Sequence, residues 1–197
     1  MASSANRPII LGSTSPYRRE LLARLRVPFE VVSPEVDETP LPRETPRQLA
    51  CRLAMSKARA VAARFPQAVV VGSDQVADLD GAAIGKPLVH EVAVAQLRRM
   101  SGQQVVFQTA VAVVCASSQF AQMDLAQVRV RFRTLHDAEI EAYLLAEQPY
   151  DCAGSAKSEG LGIALMDAIE SDDPSALVGL PLIRTCTMLR AAGIAIL

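Results

Sequence analysis

Tryptophan is absent from this 197-residue chain, and aromatic residues make up only 4% of it. Aliphatic side chains and alanine must therefore fill the core. Clustered lysine and arginine are also absent, and the formal net charge is −1. A surface that tracks nucleic-acid phosphates needs such clusters, so that class of partner is excluded. A small anion held in one pocket is not excluded. The four cysteines, Cys51, Cys115, Cys152 and Cys186, lie far apart and form no C-x-x-C. They read as core or near-core thiols of a reducing compartment. His90 and His136 are the two histidines, and neither sits at metal-ligand spacing. With no nucleophile elbow either, zinc chemistry and covalent catalysis lack support. No apolar run is long enough to span a bilayer. The opening Met-Ala-Ser-Ser-Ala-Asn is polar and carries no signal-peptide core. A cytoplasmic protein without membrane contact is the expectation.

What is present is hydrophobic residue, at 50% of the chain. That is enough for one core without staples, in a single domain or one domain divided by a cleft. Strand-like runs fall at 9–12, 29–33, 68–72, 76–79, 105–115, 127–133 and 163–166. Helical periodicity falls at 16–25, 46–65, 90–100, 137–145 and 181–192. Gly102 and Gly193 follow their helices where a C-cap glycine belongs. Asp80-Gly81 and Ser117-Ser118 read as strand-to-strand turns. Mixed alternation of this kind predicts an α/β domain, a twisted sheet with helices on both faces.

The most informative stretch is Ser13-Thr14-Ser15-Pro16-Tyr17-Arg18-Arg19. A strand turning into a helix leaves backbone N–H groups free, and the helix dipole adds positive charge there, so the turn attracts phosphate. Pro16 suits the first helical position. Ser13 and Ser15 add hydroxyls. Arg18 shares its helical face with Leu21, Leu22 and Leu25, so it heads the core-facing stripe and needs an anion. A capped helix with Arg18 paired to a structural carboxylate is the competing account.

Glu35-Val36-Asp37-Glu38 packs three carboxylates into four positions. They repel unless solvated or neutralised, and a hard divalent cation with oxygen ligands would neutralise them. A solvated acidic loop explains such a triplet equally. Asp74, in Gly72-Ser73-Asp74-Gln75-Val76, follows the apolar run Val69-Val70-Val71. It is expected at the carboxyl end of a central strand, where α/β sheets bind ligands, and it suits metal binding or water activation. Lys57 falls on the apolar stripe of its helix, where lysine is out of place unless it snorkels. Lys86 lies in Ile84-Gly85-Lys86-Pro87, which is no Walker A loop. The glycine-rich Cys152–Gly162 segment permits close backbone approach to a ligand but is weak alone.

Taken together, Ser-Thr-Ser-Pro-Tyr-Arg-Arg, Glu-Val-Asp-Glu-Thr-Pro, Gly-Ser-Asp-Gln-Val, Gly-Lys-Pro and Ala-Gly-Ser-Ala-Lys-Ser-Glu-Gly resemble the Maf family of nucleoside-triphosphate pyrophosphatases. The motifs run in family order from Ile9 to Gly179-Leu180-Pro181. The resemblance implies an α/β sheet with a deep cleft, like that of the inosine-triphosphate pyrophosphatases. It implies hydrolysis of nucleotides between the α- and β-phosphates with Mg2+ or Mn2+, and a possible homodimer. It makes Asp74 the catalytic acid–base group, and Glu38 with Asp74 the metal ligands. Ser13, Ser15, Arg18, Lys57 and Lys86 become the triphosphate contacts. Tyr17, Gln75 and Glu159 stand where the dTTP/UTP branch carries other residues. They resemble instead the branch acting on 7-methyl-GTP, whose usual aromatic is tryptophan. A methylated, cationic guanine attracts an aromatic face, and a carboxylate accepts from its N1–H and 2-amino group. A dTTP/UTP pyrophosphatase and, from another class, a nucleotide-binding regulator of cell division stand as alternatives.

Overall fold

In the computed structural model, residues 7–197 are described. The polar hexapeptide at the start, read above as lacking a signal-peptide core, lies outside them. Strand β1 (Ile9–Gly12) is buried along its whole length. It lies between β2 (Phe29–Val31) and β3 (Val69–Leu79) and is parallel to both. From β3 onward the sheet is antiparallel. β3 pairs with β5 (Gln104–Cys115), β5 with β6 (Phe120–Phe132), and β6 with β7 (Met166–Glu170). The order is β2-β1-β3-β5-β6-β7, and the short β4 (Ala82–Ile84) pairs with the second half of β3, which makes seven strands. A mixed α/β sheet is what the alternation of signals implied.

Alternation along β3 divides its side chains between two faces. Val70 and Val76 share one face with Ala110 and Ala112, under helix α2 (Pro46–Arg64) and its Leu49, Leu53, Ala54, Ala58 and Val61. Val69 and Val71 lie on the other face, with Leu21 and Leu22 of α1 (Pro16–Ala23) and Leu189 of α5 (Leu182–Ala191). Further along, Ala77, Leu79, Phe107, Val128, Val130 and Phe132 pack on α3 (His90–Met100) and α4 (Asp137–Glu147). Helices cover both faces only in the first of these regions. In the second, β6 alternates buried Val128, Val130 and Phe132 with exposed Arg129 and Arg131. A half-solvated antiparallel sheet reads this way. The long strands β3, β5 and β6 run through both regions.

Several boundaries differ from the sequence reading. The runs 68–72 and 76–79 belong to one strand, because β5 continues the ladder through Gly72-Ser73-Asp74-Gln75. Asp74 is therefore in mid-strand rather than at a strand end. The parallel pairing with β1 does stop at Gly72, two residues earlier. Asp74 thus still lies just beyond the carboxyl edge of the parallel part. β6 begins at Phe120 rather than 127, since polar residues of an exposed hairpin hide its period. Residues 163–166 are mostly 3₁₀ turn, and the strand follows at Met166–Glu170. The two turns hold. Asp80 and Gly81 both have positive φ, and Gln119 turns the β5–β6 hairpin in the left-handed region.

One close approach matters for the site. A Cβ on Gly72 would stand 2.5 Å from the Ala54 carbonyl oxygen and 2.6 Å from the Ala58 nitrogen. The missing side chain lets α2 lie directly on β3, and this brings Lys57 to Asp74.

Candidate active site

Ser15 caps α1, its hydroxyl accepting from the Arg18 N–H, and Pro16 takes the first turn. Ser13 Oγ accepts from the Ser15 N–H at 3.2 Å and from Arg18 Nη1 at 3.4 Å. Both hydroxyls act as acceptors in these bonds, so each retains its own proton for a ligand. Arg18 Nε donates to the Gly179 carbonyl at 2.9 Å. Among the described residues no carboxylate lies within ion-pair distance of Arg18, so the structural-pair account of this arginine fails. Desolvation lowers its pKa from the usual guanidinium value, against the opposing pull of Asp74 and Glu38. A half-buried arginine with no carboxylate at ion-pair distance is poised for an anion.

Lys57 does not snorkel. It is 5% exposed, and its Nζ donates to Asp74 Oδ1 at 2.7 Å and pairs with Glu38 Oε1, also at 2.7 Å. Asp74 is 6% exposed. Burial raises its pKa and Glu38 adds to the rise, while Lys57 and Arg18 pull it back. The acidic loop is drawn over Lys57 by a clamp that the sequence reading missed. Arg52, on α2, grips Glu44 with Nε at 2.6 Å and Nη2 at 2.8 Å, and reaches the Thr39 carbonyl at 3.0 Å. The guanidinium holds the Glu44 carboxyl down at about 2. An arginine five residues before Lys57 and eight after Glu44 was the available signal.

Gln75 points to the opposite face of β3 from Asp74. Its Nε2 lies 2.9 Å from the Ala176 and Leu177 carbonyls and 3.0 Å from Thr109 Oγ1. Carbonyls only accept, so the amide nitrogen is fixed there and the amide oxygen is left for other partners. Tyr17 OH donates to Asp151 Oδ1 at 3.3 Å, and the Lys157 ammonium stands 5.8 Å from the Tyr17 ring centre. Lys157 is itself paired with Glu147 at 2.7 Å. Burial pushes the Cys152 thiol beside Tyr17 up to about 12. Glu159 and Lys86 are exposed.

All ten residues singled out from the sequence line a single cleft of about 780 Å³: Ser13, Ser15, Tyr17, Arg18, Glu38, Lys57, Asp74, Gln75, Lys86 and Glu159. Its volume suits a nucleotide-sized ligand. Arg18 of α1, Lys57 of α2 and Asp74 of β3 lie at one end, with Glu38 reaching Lys57 from the loop after β2. Asp151, Cys152 and Glu159 stand on the loop segment opposite, where Asp151 and Cys152 meet Tyr17 of α1.

Among the described residues, no three histidine, cysteine, aspartate or glutamate side chains cluster as a ready-made metal cage. The donor set here is instead two hard carboxylates, each with one oxygen on Lys57 and a second oxygen outside that contact. Mg2+ is commonly held by one or two carboxylates completed by substrate phosphates and water, and Glu38 and Asp74 fit that pattern.

A cleft of this kind, set in a mixed α/β sheet, is that of a small-ligand enzyme. The model of the Maf-like protein family matches residues 8–192, and the chain belongs to this family. It is 72% identical to a protein of Albidiferax ferrireducens over 197 residues, covering 100% of this chain and 99% of the relative. It is 73% identical over 191 residues to one from Polaromonas sp., covering 97% and 87%. It is 62% identical over 195 residues to one from Burkholderia thailandensis, covering 98% and 90%. Each of these relatives bears the name 7-methyl-GTP pyrophosphatase.

Proposed function

We propose that this protein hydrolyses 7-methyl-GTP, or a closely related modified nucleotide, between the α- and β-phosphates. The products are the nucleoside monophosphate and pyrophosphate. The observation that carries the reading is the buried Lys57–Asp74 pair, bridged by Lys57 to the exposed Glu38, beside the unpaired Arg18 turn in one nucleotide-sized cleft. The names of the relatives supply the substrate.

Asp74 takes a proton from the attacking water, whose oxygen bonds to the α-phosphorus as the bond to the bridging oxygen breaks. Its raised pKa suits it to hold that proton. The Ser13–Arg18 turn, Lys57 and Lys86 orient the triphosphate and offset charge on the departing pyrophosphate. Glu38 and Asp74 hold Mg2+ or Mn2+, which when bound supplies further neutralisation of phosphate charge. Tyr17 stacks on the cationic ring, and Glu159 accepts from the guanine Watson–Crick edge. The four cysteines are free, which suits the reducing cytoplasm.

The test is pyrophosphate release from equimolar 7-methyl-GTP, GTP, dTTP and UTP, with Mg2+ or Mn2+ and after exhaustive chelation. The expected result is metal-dependent release with 7-methyl-GTP highest in kcat/KM. A preference for dTTP or UTP overturns the substrate. Cleavage of none of them overturns the enzyme and favours a nucleotide-binding regulator. Full activity after chelation overturns the metal.

A further inference from the structure

Asp173 is fully buried, yet it lies outside the cleft and takes no part in the chemistry described above. Its Oδ2 accepts from the Arg184 backbone N–H at 3.1 Å, at the start of α5. Its Oδ1 is 3.1 Å from the Ser175 hydroxyl. That hydroxyl also lies 2.8 Å from the Leu180 carbonyl and accepts from the Leu182 N–H at 2.8 Å. The Asp173 carbonyl accepts from the Ala176 N–H. One carboxylate thus fastens both ends of a tight loop, a 3₁₀ turn at Pro174–Val178 followed by Gly179, whose φ is +123°.

Three carbonyls of that loop, those of Ala176, Leu177 and Gly179, hold side chains of the site. Ala176 and Leu177 receive the Gln75 amide, and Ala176 also receives the Thr109 hydroxyl at 3.0 Å. Gly179 receives Arg18 Nε at 2.9 Å, and Ser73 Oγ, 2.7 Å from the Ala110 carbonyl, lies 3.0 Å from it. A flexible amide and a long guanidinium would otherwise sample several rotamers, and ordering each against a rigid acceptor removes that freedom before a ligand arrives. The acceptors are rigid only if the loop is.

We propose that Asp173 is a positioning residue: by locking residues 174–182 it fixes the carbonyls that hold the Gln75 amide and the Arg18 guanidinium, so that Gln75 offers the cleft its oxygen alone. A residue that offers only an acceptor selects a ligand donor. In a site where Glu159 also accepts, this favours a base edge with two donors over one with an acceptor facing Gln75. The selectivity consequence rests on the proposed nucleotide activity, whereas the positioning itself does not.

Two measurements on the full chain keep these apart. The first is the side-chain amide signal of Gln75 in ¹⁵N–¹H spectra without nucleotide, assigned by its loss in Gln75→Ala. In wild type the two protons should be resolved and slow to exchange with water. In Asp173→Ala they should move to the position of a free glutamine amide, and in Asp173→Asn they should largely return, since the amide oxygen can still accept from Arg184. A Gln75 signal unchanged in folded Asp173→Ala overturns the proposal. If that variant does not fold, an unchanged signal in Ser175→Ala overturns it equally. The second measurement is kcat/KM for 7-methyl-GTP against dTTP. Asp173→Ala should lower the ratio by about tenfold, and adding Gln75→Ala should lower it no further. Additive losses overturn the coupling between the two residues. A wild type that cleaves neither nucleotide defeats the proposed activity and leaves the amide signal to decide the positioning.

Discussion

The two ends of the cleft are built in different ways. At one end Lys57, Asp74 and Arg18 stand on regular elements, α2, β3 and α1, and the first two are almost wholly buried. At the other end Tyr17 faces Asp151, Cys152 and Glu159, which sit on an irregular, partly exposed segment. Buried charge on a rigid sheet interacts strongly and is costly to disturb, whereas exposed groups on loops interact weakly and are cheap to exchange. The proposed function divides in the same way, with the chemistry at the first end and the choice of substrate at the second. Substitutions can test that division in turn.

Asp74→Asn is expected to have the largest effect, a loss of about 100- to 10,000-fold in turnover, because an amide takes no proton from water. The far-ultraviolet spectrum should stay near wild type, since the amide oxygen can still accept from Lys57, which also keeps Glu38. Near-normal turnover by the folded variant, with metal in excess, would remove Asp74 from the chemistry.

Lys57→Met should weaken binding of a non-hydrolysable triphosphate and leave Asp74 buried without its cation. Losing one member of a buried pair costs about 3–5 kcal/mol when the survivor stays charged. Asp74 can avoid part of this by keeping its proton. Its folded pKa, already raised, rises further in the variant, so the stability of Lys57→Met should be retained at acid pH and fall as pH increases. The acid limb of kcat/KM should move to higher pH in the same variant. A melting temperature independent of pH between 5 and 9 would show that the bridge carries no such coupling.

Glu159→Gln, at the opposite end, should leave the turnover of good substrates nearly intact and erode the preference for 7-methyl-GTP. An unpaired donor on the base edge costs about 1–3 kcal/mol, or one to two orders of magnitude in selectivity. If turnover falls as far as in Asp74→Asn with the preference unchanged, the division between the two ends is wrong.

The smallest effect should come from Tyr17→Leu, which removes the aromatic face but keeps apolar bulk. Attraction of a cationic ring is worth about 0.5–2 kcal/mol, so discrimination of 7-methyl-GTP from GTP should fall by about 2- to 30-fold. Tyr17→Phe, which loses only the hydroxyl's contacts with Asp151 and Cys152, should retain it.

The buried end was the more legible one in sequence. Arg18 and Lys57 stood out because a charge on an apolar stripe contradicts the helical pattern around it, and Asp74 because it interrupts a run of valines. The mixed sheet followed from the same alternation. The supports of these residues were harder to read. Arg52 and Asp173 sit among ordinary surface-like neighbours, and several of their partners are loop carbonyls and N–H groups, which leave no trace in residue type. The 3₁₀ turns at Leu161–Leu165 and Pro174–Val178 were hidden for the same reason, since short turns have no hydrophobic period. Asp74 was misplaced at a strand end because the small and polar residues Gly72 and Ser73 look like a break. Only the continuous β5 partner shows that the ladder runs on.

That continuity sets the mechanics of the molecule. β3 pairs with β5 from Val70 to Asp78 without a gap, and the cleft is mounted on this stretch. A hinge across this stretch would have to sever main-chain bonds in the middle of the sheet, so the stretch acts as a stiff beam rather than a joint. The traffic of ligands must then be handled at the rim, by the 34–45 and 149–160 segments. The clamp of Arg52 on Glu44 and the tie between Tyr17 and Asp151 are the fastenings that such traffic has to loosen.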